Sequence, residues 1–176
     1  NNRFDILNTG YYCKQLITCL IKNACKYLDE SNIGVVVSMH DIDKHSAINM
    51  FDNIIYMCIK DFSSDLSKKY KPLLISYLRT AKNINIILEL FNSELTYKVD
   101  TELNQFIVEK IISQFTVHFA YEIYNLSNIN LLHIGQYRID LNLISQLFLD
   151  KIVNKSNIKN EFLYLNSILK ILQINT

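Results

Sequence analysis

Turn-forming residues are what this chain has least of. Its 176 residues include three glycines, one proline and no tryptophan. A sandwich or barrel of many short strands needs turn residues every ten positions or so, and they are missing here. Glycine is too scarce for loops that cradle phosphates, and no GxxxxGK, GxGxxG, GxSxG or HExxH pattern occurs. There is no secretory apolar region and no run of the roughly 20 apolar residues that a membrane span needs. Charge of one sign is lacking too. A net charge of +1 with scattered lysines gives no basic face for nucleic acid. The four cysteines (Cys13, Cys19, Cys25 and Cys58) form no CxxC, and their six-residue spacing does not bring three thiols onto one helical face. With 49% hydrophobic residues the chain can bury a core without disulfides or a structural metal, so these read as free thiols in a reducing compartment.

What is present is helical periodicity. The expected fold class is all-α, an antiparallel bundle of six or seven helices in a single domain over residues 1–176. A chain opening Asn1-Asn2 also reads as a fragment of a longer protein. Residues 1–10 read as a polar lead-in ending at Gly10. A first amphipathic helix over Tyr11–Leu28 places Leu16, Ile17, Leu20, Ile21, Ala24 and Leu28 on one face. Gly34–Met39 has strand chemistry but no partner strand, so a linker or part of a helix fits better. A helix ending near Phe62 should break at Ser63-Ser64, and Pro72 suits the first turn of another. The pattern changes phase near Asn83–Asn85, which leaves one kinked helix or two. Asp100 or Thr101 can cap a long helix to Asn125, with Leu103, Phe106, Ile107, Ile111, Phe115 and Phe119 inward. Ser156 or Asn157 caps the last helix, which carries Ile158, Phe162, Leu165, Ile168, Leu169 and Leu172.

Few residues suggest chemistry. His40, Asp41, Asp43 and His45 could ligate a divalent metal, but Asp43 and Ser46 also suit a capping loop before Ile48. His118, beside Phe119, reads as a packed or surface histidine. The carboxylate pairs Asp29/Glu30 and Asp41/Asp43 fall on solvated stretches. No cofactor, metal or catalytic residue is therefore expected, and the chain reads as a non-enzyme.

The most informative stretch is Gly135–Leu149. It reads as a helix opening after Gly135, with Ile139, Leu143 and Leu147 as its apolar stripe, widened by Ile144 and Phe148. Gln136 and Asp140 lie beside that stripe, spaced to hydrogen-bond along one face. Gly135, Gln136, Ile139, Asp140, Leu141 and Ile144 can be laid on a pattern of glycine, glutamine, hydrophobic, aspartate and hydrophobics. In this it resembles the last helical bundle of vesicle-tethering complex subunits of the exocyst, COG and GARP type. Gln136 stands closer to the glycine here than in that pattern. The resemblance implies a scaffold in membrane traffic, held in the cytoplasm or peripherally on Golgi, endosomal or plasma membranes. Its partners would be other helical subunits, SNAREs or a Rab-type GTPase. In that setting Gly135 would permit a tight turn into the helix, the leucines would pack inward, and Asp140 would cap or cross-link a neighbouring loop. The alternative is a virus-encoded bundle of the Bcl-family type that binds an amphipathic helix in a groove.

Overall fold

The computed structural model describes residues 2–28, 34–126 and 131–174; the side chains of residues 2, 21, 24–28, 34–45 and 131 lie outside that description. Six helices and no strand occur among the described residues: α1 (Asn2–Leu28), α2 (Gly34–Thr80), α3 (Ile84–Glu94), α4 (Thr101–Tyr124), α5 (Leu131–Leu149) and α6 (Ser156–Ile174). The all-α bundle expected from the scarcity of turn residues is what forms. The chain divides into two compact units, Asn1–Asp61 and Phe62–Thr176, with the division falling inside α2.

In the first unit α1 begins at Asn2 rather than after Gly10. Phe4 and Leu7 are buried, so the segment read as a polar lead-in is helix. Gly10 does not end it. A Cβ there would lie 3.7 Å from Ile55 Cγ1 and 3.9 Å from Ile54 Cγ2, so α1 faces α2 at this position. One turn on, Lys14 Nζ meets Asp52 Oδ1 at 2.6 Å. The inward side of α1 here is thus the row of Leu7, Gly10 and Lys14, and the expected face is corrected in part: Leu16 and Leu20 are exposed, together with Tyr12, Ile17 is half-buried, and Ile21, Ala24 and Leu28 lie outside the described side chains.

Helix α2 is continuous where breaks were expected. Residues 34–39 and 40–45 both belong to it, so no capping loop precedes Ile48. Whether His40, Asp41, Asp43 and His45 could meet a metal lies outside the described side chains. Buried positions run unbroken through Ile59, Phe62, Leu66, Tyr70, Leu74 and Tyr77, at helical spacing, and Ser63 is buried among them. Serine is small enough to sit in that row without interrupting it. Pro72 lies inside the helix on its exposed side. Its missing amide leaves the Lys68 carbonyl to solvent, which is tolerable only on the outer face.

The second unit packs the end of α2 with α3–α6. The phase change near Asn83 proves to be a true break: Ala81 and Asn83 have φ of 51° and 68°. α3 buries Ile84, Ile87 and Phe91. α4 is capped as expected, Asp100 Oδ1 accepting from the Glu102 amide at 2.9 Å. Its buried face includes Val108 and Ile112, whereas Phe106, expected inside, is 66% exposed. α6 buries Ile158, Phe162, Leu165 and Leu169. Aromatic rings knit the core across four helices. Phe91 of α3 lies 5.4 Å from Tyr70 of α2, 5.6 Å from Phe115 of α4 and 5.0 Å from Phe148 of α5, centroid to centroid. Such pairs add about 0.5–1.5 kcal/mol each beyond burial of their area.

Candidate functional site

Helix α5 carries the stretch singled out in the sequence, and the structure redraws its inward face: Ile144 and Phe148 are buried as expected, while the rest of the stripe is not. α5 starts at Leu131, four residues before Gly135, so this glycine lies inside the helix. Its φ is not positive, it is exposed, and a Cβ built on it meets nothing within 4 Å. No tight turn requires it. Ile139 and Leu143 are 58% and 49% exposed and Leu147 is half-buried. They do not form the inward stripe. The buried face is Ile134, Tyr137, Leu141, Ile144 and Phe148, with Asp140 at its edge. This row is rotated around the helical wheel from Ile139, Leu143 and Leu147, and it satisfies the 3.6-residue period equally well. The two rows differ in content, since the inner one includes a tyrosine and a carboxylate.

Asp140 is buried, 3% exposed, and both of its oxygens are engaged. Oδ2 accepts from the Tyr77 hydroxyl at 2.7 Å, and Oδ1 accepts from Gln136 Nε2 at 2.9 Å. The bond between Gln136 and Asp140 is the i, i+4 contact the sequence suggested. Tyr77 comes from the last turn of α2, so Asp140 ties helix to helix rather than helix to loop. Beside it the Tyr137 hydroxyl donates to the carbonyl of Leu78. Leu78 lies in the last turn of α2, where carbonyls lack intrahelical donors, so Tyr137 serves as a cap supplied from another helix. The two rings meet edge to face at 5.5 Å. Burial, then the hydrogen bond and charge of Asp140, push the Tyr77 hydroxyl far above the usual tyrosine range, and burial also raises Tyr137. These phenols stay protonated and act as donors.

A second polar pair lies elsewhere in this unit. The Tyr70 hydroxyl and His118 Nδ1 are 2.7 Å apart, with ring centroids at 5.7 Å. With Tyr70 as donor, Nδ1 is bare and the ring proton sits on Nε2. Burial and then the Lys71 charge lower the His118 pKa, partly offset by Glu122. His118 is therefore a packed histidine with a structural partner. Of the cysteines, Cys13, Cys19 and Cys58 are free thiols, and Cys25 lies outside the described side chains. Burial pushes the half-buried Cys58 thiol up, so it is a poor nucleophile.

Among the described residues no group of three or more His, Cys, Asp or Glu could hold a metal ion, and no helix is long and apolar enough to cross a membrane. Between α4 and α6 there is a cleft of about 220 Å³ lined by Glu109, Ile112, Ser113, Asn157, Ile158 and Glu161. That is below the roughly 300–1,000 Å³ of cofactor and small-molecule pockets. Sequence reasoning missed Tyr77 and Tyr137. The signal available was weak: two tyrosines at helical core positions, either of which could have packed by area alone. Comparison with protein-family models, with curated proteins and with solved structures returned no match.

Proposed function

We propose that this chain is a helical scaffold that holds partner proteins and carries out no reaction of its own. One observation carries the reading: several helices have a second apolar stripe that their own core leaves exposed. On α1 it is Tyr12, Leu16 and Leu20; on α4 it is Phe106, Val117, Tyr121 and Tyr124, each more than half exposed. Exposed aromatic and aliphatic residues in rows mark protein interfaces more often than isolated ones do. The buried polar groups support the same reading. Asp140, Tyr137 and His118 are engaged with other helices, where they fix packing instead of facing a substrate.

The narrower form of the proposal is a subunit of a vesicle-tethering complex of the exocyst, COG or GARP type, acting in membrane traffic with sister helical subunits, SNAREs or a Rab-type GTPase. It would sit in the cytoplasm or peripherally on Golgi, endosomal or plasma membranes. Its support is the sequence pattern of Gly135, Gln136, Ile139 and Asp140. The test is affinity purification of the full-length protein from the cells that make it. Large helical proteins recovered in fixed stoichiometry, with a SNARE or a small GTPase, are the expected result. Recovery of the protein alone would end the tether reading.

A further inference from the structure

Five helix termini of the second unit gather at one end of it. Tyr77 and Leu78, in the last turn of α2, bond to Asp140 and Tyr137, so α5 runs back along α2 and begins where α2 stops. α3 starts there too, directly after the break that ends α2. Asn104, at the start of α4, donates to the Lys151 carbonyl just past α5, so α4 also runs against α5. α4 and α6 run in the same direction, because Gln105 meets Asn154 and Glu109 meets Asn157. α2, α4 and α6 therefore finish at the end where α3 and α5 begin. Helix dipoles of both signs meet there and largely cancel, so they do not account for any charge the side chains carry.

Two features coincide at this end. The first is apolar: Tyr124 closes α4, Leu132 opens α5 and Ile174 closes α6, and they are 85%, 84% and 81% exposed, the most open large apolar residues among those described. Side chains that open are separate projecting points, not the floor of a groove. The second is charge. Within about two turns of the same helix ends, Arg79, Lys82, Arg138 and Lys170 stand against the carboxylates Glu89 and Glu122. None of these cations is in an ion pair among the described residues, and Glu122 already acts on His118. Residues 62–176 hold 12 Lys and Arg against 10 Asp and Glu, so the net positive charge of this unit lies at this end.

We propose that this end docks peripherally on a bilayer rich in anionic lipid, with Tyr124, Leu132 and Ile174 entering the headgroup boundary and Arg79, Lys82, Arg138 and Lys170 meeting lipid phosphates. Charge complementarity selects an anionic occupant, and isolated projecting tips select a deformable one. A protein partner packs against a continuous apolar core, whereas lipid closes around each tip separately. Tyrosine suits that boundary, with its apolar ring and polar hydroxyl. The Lys and Arg stems lie along apolar surface while their heads reach the headgroups. Each such cation strengthens binding about fivefold. The proposal rests on the scaffold reading, whose peripheral membrane location it narrows to one end of this unit and one lipid charge.

The chain has no tryptophan, so a single one can serve as a reporter. Tyr124→Trp reports on this end, and Val153→Trp, just past α5 and also exposed, reports on the opposite one. Each purified protein is titrated with vesicles of phosphatidylcholine alone or with about 30% phosphatidylserine added, which makes the surface anionic. The emission of Tyr124→Trp should shift to the blue with the anionic vesicles only, and that of Val153→Trp should not move. Adding Lys82→Gln with Lys170→Gln to Tyr124→Trp should weaken binding about twentyfold. Adding Leu132→Ser with Ile174→Ser instead should weaken it at least about tenfold. All these side chains are exposed, so the thermal midpoint should stay near that of the parent and serve as the control for folding. Equal shifts with both kinds of vesicle, a shift at Val153→Trp instead, or binding indifferent to the charge variant would each overturn the proposal. So would no shift at all, or a shift with polyglutamate but not with vesicles, which would assign this end to an acidic protein. Failure here with co-purifying subunits intact removes this surface alone; vesicle binding without co-purifying subunits removes the tether reading alone.

Discussion

Both sides of α5 carry apolar residues, and hydropathy alone does not say which of them faces the core. The side facing the core carries Tyr137 and Asp140 beside Leu141, Ile144 and Phe148, while Ile139 and Leu143 face outward. What decides the orientation is partnership. Asp140 finds the Tyr77 hydroxyl and Gln136, and Tyr137 finds an end carbonyl of α2. A buried carboxylate without those donors would be too costly to keep; with them it fixes how α5 meets α2. An apolar stripe is therefore a necessary mark of a buried face and an insufficient one.

The sharpest way to break this comparison is to place the same charge on each side. Ile144→Asp puts an unpartnered carboxylate into the core and should cost about 3–5 kcal/mol of stability in urea denaturation, or prevent folding. Leu143→Asp, one position away, should cost about 1 kcal/mol or less. Equal losses would mean that α5 is rotated from the orientation described. Next in size is Asp140→Ala, which strands the Tyr77 hydroxyl and should cost about 1–3 kcal/mol; a variant as stable as the parent would show that the carboxylate adds nothing.

Smaller effects sharpen the same contrast. Tyr137→Phe removes only the cap on the Leu78 carbonyl, and a loss of about 0.5–1.5 kcal/mol is expected from the melt. On the outer side the sign reverses. Gly135→Ala fills open space on an exposed helical residue, so it should gain about 0.5–1 kcal/mol. A loss there would show that the glycine is needed for something beyond the helix. The Tyr70–His118 pair gives a pH test. The pKa of His118 is lowered in the fold, so the folded state holds fewer protons and its stability is complete above the unfolded histidine value. It is lost as pH falls through about 6.5 and on through the lowered folded pKa. A series of thermal melts from neutral to mildly acid buffer should show that decline, and His118→Gln should flatten it.

Much of the fold was legible in the sequence because scarce glycine and proline leave few ways to arrange so many apolar residues. The cap at Asp100 and the last helix followed from local chemistry, while the phase change near Asn83 left a kink and a break equally open. The errors share a physical cause: a sequence shows which residues can end a helix, while the tertiary setting decides whether they do. Gly10 lies in mid-helix facing α2 instead of ending α1, Ser63 is buried in mid-helix, and Pro72 sits on an outer face. Face assignment failed for a related reason. Where both sides of α1 and α5 carry apolar residues, periodicity fits two answers, and the partners that choose between them lie far away in sequence. Gln136 and Asp140 were visible as a pair because they are local. Tyr77, which is 63 residues from Asp140, was not.

The central claim is that Asp140 serves as a helix-to-helix cross-link, and a double-mutant cycle tests it most directly. Stability would be measured by urea denaturation for the parent, Tyr77→Phe, Asp140→Ala and the double variant. A true cross-link predicts a coupling of about 1–3 kcal/mol, with the double variant costing less than the sum of the single ones. Losses that simply add, within about 0.5 kcal/mol, would contradict the account and leave Asp140 without the role assigned to it.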